Sequence, residues 1–252
     1  MSLKNELDIL VAAIRFFTRL PVPGPWGYDS APLERAIRYY PAVGIIVGTI
    51  GAAVFFLVSA FWTKPVAVLA TIAAIAYITG AIHEDGWTDT VDGFGGGWTK
   101  DRILEIMRDS RVGSFGVCAL TILLLGRFLA LCEMDTRLIP VPAALIAGHA
   151  FSRLCATFVL GALDYARPDG KAQPFSNALD RREKIFILLS VAWFLLLFIP
   201  FRELLCGITL GAVSAWWLAR MFQRQIGGYT GDCIGAVQQL SEVMFYIGLL
   251  FS

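Results

Sequence analysis

Charge is scarce in this sequence. Only 16% of its 252 residues are Asp, Glu, Lys or Arg, against about 25% in a soluble domain. Apolar residues make up 57%, and the mean hydropathy is +0.66. The apolar excess lies in long runs, which excludes an ordinary water-soluble domain and implies an integral membrane protein. The cysteines form no CxxC pair, and most lie in or beside apolar runs. They read as small apolar fillers rather than as a disulfide framework or a zinc site. A GxxxxGK[ST] phosphate loop is absent, and so is anything resembling a serine or cysteine triad. No internal repeat, low-complexity tract or second soluble domain is visible, so residues 1–252 read as a single membrane-embedded domain. The N-terminal stretch MSLKNELDILVAAIRFFTRLPVP carries Glu6 and Asp8 and no small-residue cleavage site, so a cleavable signal peptide is not expected. The net charge of +1 carries no nucleic-acid signal, and no nucleic-acid partner is expected.

What is present is an all-α pattern. A helix needs about 20 mostly apolar residues to span a bilayer. Runs at 41–62, 66–82, 116–132, 140–163, 185–200, 204–220 and 234–251 predict a polytopic helical bundle of about seven spans. The last run is the weakest, because Gln238, Gln239 and Glu242 interrupt it. Over residues 4–19, Leu7, Leu10, Val11, Ile14 and Phe17 recur at helical spacing. That pattern predicts an amphipathic helix lying at the membrane interface. Lys and Arg alternate 5, 1, 4, 1, 5, 1, 2 along the segments between runs, with all the rich segments on one side. Cytoplasmic loops carry the excess of basic residues, so both the N-terminus and the acidic and glycine-rich motifs are expected on the cytoplasmic side.

The run HEDGWTDTVDGFGGG, residues 83–97, packs four acids and five glycines against the end of an apolar stretch. At about 100° per helical residue, Asp85, Asp89 and Asp92 fall within about 60° of one another on a single face. Carboxylates so placed repel unless a cation joins them, and hard oxygen ligands suit Mg²⁺ or Mn²⁺. Glu84 either borders this site or joins it. Gly93, Gly95, Gly96 and Gly97 permit close approach by a bulky ligand. The bland alternative is a solvated acidic helix end, which leaves the position at the membrane boundary unexplained.

Three other places hold polar residues of interest. In EIMRDSRVGSFG, residues 105–116, Glu105 and Asp109 stand four apart, with Arg108 and Arg111 beside them. Arginine forks suit phosphate oxygens, although exposed ion pairs would give the same pattern. In GGYTGDCIGAVQQLSE, residues 227–242, glycines precede Thr230 and Asp232 at a helix start. Asp232 could cap that helix or bind metal, and the loop is expected to pack against residues 85–97. Arg127, His149 and Arg153 lie inside apolar runs, where ionisable groups mark function by default. Arg153 is the stronger candidate, while Arg127 could snorkel to the interface. The pairs Gly44/Gly48 and Gly207/Gly211 match GxxxG, which ordinarily means close helix packing.

Carboxylates, a divalent cation and arginines at a membrane surface suit attack on a phosphoanhydride. A transporter of divalent cations or of another substrate is the rival reading. It fits less well, because the acids cluster at one edge and form no midplane site in two corresponding repeats.

The segments FFTRLPVP (16–23), YYPAVGIIVG (39–48), HEDGWTDTVDGFGGG, EIMRDSRVGSFG, ARPDGK (166–171) and GGYTGDCIGAVQQLSE, in that order, resemble the cobalamin synthase family, adenosylcobinamide-GDP ribazoletransferase. The resemblance runs nearly the whole length. It implies a multi-pass enzyme of the bacterial inner membrane with its active site on the cytoplasmic side. It implies Mg²⁺ dependence and two substrates, adenosylcobinamide-GDP and α-ribazole or its 5′-phosphate, joined with loss of GMP. On this reading Asp89, Asp92, Arg108 and Arg111 are catalytic candidates. Glu84, Asp85, Asp89, Asp92 and Asp232 are metal candidates. Arg19, Gly95, Gly96, Arg153, Gly228 and Thr230 are substrate-binding candidates. Beyond the lipid bilayer, self-association and contact with other late cobamide-pathway enzymes stand as partner expectations.

Overall fold

A computed structural model describes residues 3–23, 35–135, 138–167 and 199–251. Among these residues nine α-helices form and no strand: α1 Leu3–Phe17, α2 Tyr40–Ser59, α3 Lys64–Thr79, α4 Ile82–Gly96, α5 Lys100–Ile106, α6 Ser114–Glu133, α7 Val141–Leu160, α8 Phe201–Gln225 and α9 Gly231–Leu249. A 3₁₀ turn, Ala36–Tyr39, leads into α2. Proline in the first turn starts α2, α3 and α7, where its fixed φ suits the helix and its missing N–H costs nothing.

Four helical stretches are long and apolar enough to cross a membrane: Ala36–Ser59, Ser114–Glu133, Val141–Leu160 and Phe201–Gln225. A fifth follows if α3 and α4, which meet at 88°, count together as one broken span. The chain is therefore a helical membrane protein. Of the remaining expected spans, 185–200 lies outside the described residues except for its last two positions. The run 234–251 does fold as α9, but α9 is not among the candidate spans. Its polar residues Gln238, Gln239 and Glu242 are all buried. They lower its hydropathy, and their burial places them inside the protein.

The core is built around α7 and α9. The apolar window of α7 is 83% buried. α2 lies against α7, α8 against α9, and α9 also meets α4 and α7. Glycines let these helices approach closely. A Cβ at Gly48 of α2 would sit 2.6 Å from the Ile146 Cα of α7, and one at Gly211 of α8 would sit 2.9 Å from the Ser241 carbonyl of α9. Both GxxxG pairs are thus packing surfaces.

α1 buries part of the stripe its apolar spacing suggests, with Ile14 packed against the core. Ile9, Ala13 and Phe17 face the protein, while Leu7 is exposed. Glu6 fixes the helix in place by accepting hydrogen bonds from Arg38 Nη2 and the Tyr39 hydroxyl, both at 2.6 Å.

Candidate active site

The acidic helix α4 owes its direction to two residues with left-handed backbone. Gly80 has φ 69° and Ala81 has φ 55°. Together they turn the chain 88° away from α3, so α4 departs from the axis of the preceding apolar helix. A non-glycine residue in this region is strained, and Ala81 is the only such case among the described residues. Arg19 lies over the bend. Its backbone N–H donates to the Ile78 carbonyl at 2.6 Å, and a Cβ at Gly80 would meet its Nε at 2.5 Å. The arginine side chain itself is exposed, close to where the acidic helix begins.

The carboxylates of α4 divide between tasks. Asp92 is buried and ties α4 to α6: its two oxygens accept from the backbone N–H groups of Gly113, at 2.7 Å, and Gly116, at 2.8 Å. A carboxylate at a helix N-terminus satisfies free donors and opposes the helix dipole. Asp85 and Asp89 are not used in this way. Asp89 is half-buried, and its carboxyl is pushed up to about 7 by burial and then by the charges of Asp85, Asp232 and Asp92. Glu84 turns inward instead, with Oε1 3.6 Å from Arg127 Nη1.

α9 brings the other end of the chain to the same place. A Cβ at Gly86 of α4 would lie 2.8 Å from the Asp232 carbonyl oxygen and 3.0 Å from its Cα. The expected packing of 227–232 against 85–97 is met at this crossing. Thr230, not Asp232, is the N-cap of α9, accepting from the Cys233 N–H at 3.3 Å. Thr230 is wholly buried, and its hydroxyl is spent on this turn. The Asp232 carboxylate accepts from the Thr230 hydroxyl at 3.3 Å and keeps its other oxygen for further partners. Gly228 allows the loop to press against the Asp164 carbonyl, beside an isolated bridge between Tyr165 and Tyr229.

That bridge delivers Arg167, a residue the sequence offered only as part of ARPDGK. Arg167 Nη2 lies 3.1 Å from Asp232 Oδ2, and the guanidinium is largely buried. Its Nε and Nη2 make no well-angled hydrogen bond among the described residues. Burial raises the Asp232 carboxyl, while Arg167 works to lower it. The site is therefore three carboxylates, Asp85, Asp89 and Asp232, facing one arginine with donors to spare.

The remaining candidates have other immediate neighbours. Arg111 is held by Asp109 in an exposed two-pronged pair, Nη2–Oδ2 2.7 Å and Nε–Oδ1 3.0 Å, and its side chain is 88% exposed. Arg102 pairs with Glu105 at 2.8 Å. The 105–111 segment thus carries surface ion pairs; Arg108 is exposed nearby. A Cβ at Gly95 would face the Phe115 ring and one at Gly96 would face Ile106. Arg153 is 1% exposed, with its Nη1 3.1 Å from both the His149 carbonyl and the ring Nδ1 and its guanidinium over the Tyr40 ring. It belongs to the bundle interior.

Arg127 does not snorkel. It is buried, 3.4 Å from Glu242 and 3.6 Å from Glu84, and it donates to Gln239. Glu242 also meets His149 Nδ1 at 2.9 Å and accepts from Gln238 at 2.6 Å. Arg127 is shared by Glu84 and Glu242, so the buried carboxylates are compensated inside the bundle, as buried charges must be. The signal in the sequence was the trio Gln238, Gln239 and Glu242, whose partners sit on other helices.

Among the described residues, no three acidic, histidine or cysteine side chains stand close enough to hold a metal as they are. The donor set nevertheless fits a hard divalent cation: carboxylate oxygens from two helices, crowded enough to repel one another.

The cobalamin-5-phosphate synthase family profile matches residues 9–250. The chain is 40% identical over 252 residues to the adenosylcobinamide-GDP ribazoletransferase of Shewanella amazonensis, covering 99% of this chain and 97% of that protein. It is 41% identical over 253 residues to the enzyme of the same name from Ralstonia pickettii, covering 99% and 97%. No solved structure matches. With an acidic helix, a glycine-rich second motif and a family match across the whole bundle, this chain belongs to the cobalamin-5-phosphate synthase family.

Proposed function

We propose that the chain is an adenosylcobinamide-GDP ribazoletransferase, as its relatives are named. In this reaction a hydroxyl of α-ribazole, or of its 5′-phosphate, attacks the phosphorus on the cobinamide side of adenosylcobinamide-GDP. A new P–O bond forms to that oxygen, the P–O bond to GMP breaks, and the hydroxyl proton passes to a carboxylate. The observation that carries the reading is the meeting of Asp85 and Asp89 with Asp232 and Arg167 at one end of the bundle.

Asp85, Asp89 and Asp232 would hold Mg²⁺, which when bound offsets charge on the diphosphate. Of these carboxylates, Asp89 is the candidate to accept the proton of the attacking hydroxyl, through an oxygen the cation leaves free. Arg167 offers its spare donors to phosphate oxygens as the GMP leaving group gathers charge. Asp92 acts indirectly by locking α4 to α6. Arg19 stands at the rim, where an anionic substrate would approach. The basic-residue asymmetry supports a cytoplasmic orientation for this end of the bundle, and a bacterial inner membrane is the setting we propose.

Purified protein in lipid, supplied with Mg²⁺, should release GMP only when both substrates are present. GMP release from adenosylcobinamide-GDP alone, or none from the pair, would contradict the assignment.

A further inference from the structure

One cleft opens at the C-terminal end of α4, the helix that carries Asp85 and Asp89, and is not used by the chemistry above. Its volume is about 420 Å³, and it is lined by Phe94, Gly95, Gly97, Trp98, Arg224 and Gln225. We propose that this cleft seats the guanine base of the nucleotide substrate, an inference that rests on the transfer reaction proposed above.

Four observations carry it. First, the cleft is of a size for one base and part of its ribose. Both its walls belong to chain segments that also carry site residues. Gly95 follows Asp89 by six residues of α4, a rise of about 9 Å, which is the scale separating a diphosphate from its base. On the other wall, Gln225 ends α8 and the short 226–230 loop leads to Asp232.

Second, Trp98 is 96% exposed at the mouth. An indole left open beside a polar cleft offers a stacking surface for a planar base.

Third, α4 ends here with unused acceptors. Among the described residues, no hydrogen bond reaches the carbonyls of Phe94, Gly95 or Gly96 beyond the end of the helix; the last backbone bond runs from the Gly97 N–H to Gly93 at 2.9 Å. Carbonyls at a helix C-terminus need donors, and guanine presents N1–H and an exocyclic NH₂ along one edge. The Arg224 guanidinium and the Gln225 amide supply donors for its O6. The benzimidazole base of the other substrate, substituted at one ring nitrogen, presents no N–H and leaves those acceptors unmet.

Fourth, the negative end of the α4 dipole disfavours a phosphate in this cleft. That is the polarity expected if the base lies here and the diphosphate lies back toward Asp89.

The test is calorimetric binding of GDP and IDP, with Mg²⁺, to the full-length protein in lipid nanodiscs. IDP lacks only the exocyclic amine. GDP should bind about tenfold more tightly than IDP, and Trp98→Ala should weaken GDP by about tenfold or more, as loss of one base stack implies. Trp98→Phe should recover most of that loss, which separates stacking from misfolding. The same variant should leave α-ribazole binding unchanged. Equal affinity for GDP and IDP, or wild-type GDP binding by Trp98→Ala, would overturn the proposal. Weakened α-ribazole binding with intact GDP binding would overturn it too, and would give the cleft to the benzimidazole. Because binding is read without turnover, failure of the reaction itself would show separately, as missing GMP release in the two-substrate assay.

Discussion

Gly86→Ala tests the closure of the site from its two ends. The added Cβ would lie 2.8 Å from the Asp232 carbonyl oxygen and 3.0 Å from the Asp232 Cα. Those are backbone atoms, so no side chain can swing aside. To restore ordinary contact, the start of α9 must back away from α4 by roughly half an ångström or more. Alanine improves the helix locally by about 1 kcal/mol over glycine, while overpacking costs about 1–3 kcal/mol. The net loss of stability is therefore small, roughly 0–2 kcal/mol, and the protein should still insert and purify. Activity should suffer far more, because Asp232 and Arg167 move with α9 while Asp85 and Asp89 stay on α4. A displacement approaching 1 Å at a reacting centre is worth ~10²-fold. The assay is GMP release under saturating substrates, with Gly126→Ala as the control, since its nearest neighbour would be the end of a valine at 3.4 Å. Wild-type turnover by Gly86→Ala would refute the argument that α4 and α9 must touch for catalysis.

Four further outcomes follow from the same geometry. In metal-free protein, burial and then the neighbouring carboxylates push the Asp89 carboxyl up to about 7, so its protonated form favours the fold. That contribution is fully present below the ordinary carboxylate value and is lost as pH rises through about 7; melting without Mg²⁺ should therefore fall across this window, and Asp89→Asn should flatten the slope. Arg167→Lys keeps the charge but loses the guanidinium fork, so turnover should drop by ~10²-fold, whereas Arg111→Lys, at an exposed ion pair, should remain within about twofold of wild type. Arg127→Met leaves Glu84 and Glu242 without their shared cation and should cost about 3–5 kcal/mol in reversible unfolding, with Glu84→Gln and Glu242→Gln added together restoring part of it. Reporter fusions after residue 100 and after residue 175 should both read as cytoplasmic; a periplasmic signal from either would invert the topology inferred from Lys and Arg.

The sequence made visible what depends on local spacing. Asp85 and Asp89 share a face because a helix repeats every 3.6 residues, and the glycine pairs announce close packing for a similar local reason. The bend at Gly80 and Ala81 was hidden, since an alanine gives no sign that its φ is positive. The fate of Asp92 was hidden too: its partners are the Gly113 and Gly116 amides on another helix, and every residue carries such a group. Arg167 reaches Asp232 only through the pairing of Tyr165 with Tyr229, a tertiary event without a periodic signature. Gln238, Gln239 and Glu242 were misleading for the opposite reason. Hydropathy counts polarity without direction, and these three face a buried cluster of compensating charge.

The central claim is that carboxylates from α4 and α9 form one cation site. Electron paramagnetic resonance of Mn²⁺, titrated into the purified protein, measures this directly by the loss of the free-ion signal. The account predicts that Asp89→Asn and Asp232→Asn each weaken binding by about tenfold or more, and that the double variant is scarcely worse than either single one, because both disrupt the same site. Wild-type Mn²⁺ affinity in Asp232→Asn, or fully additive losses in the double variant, would contradict it.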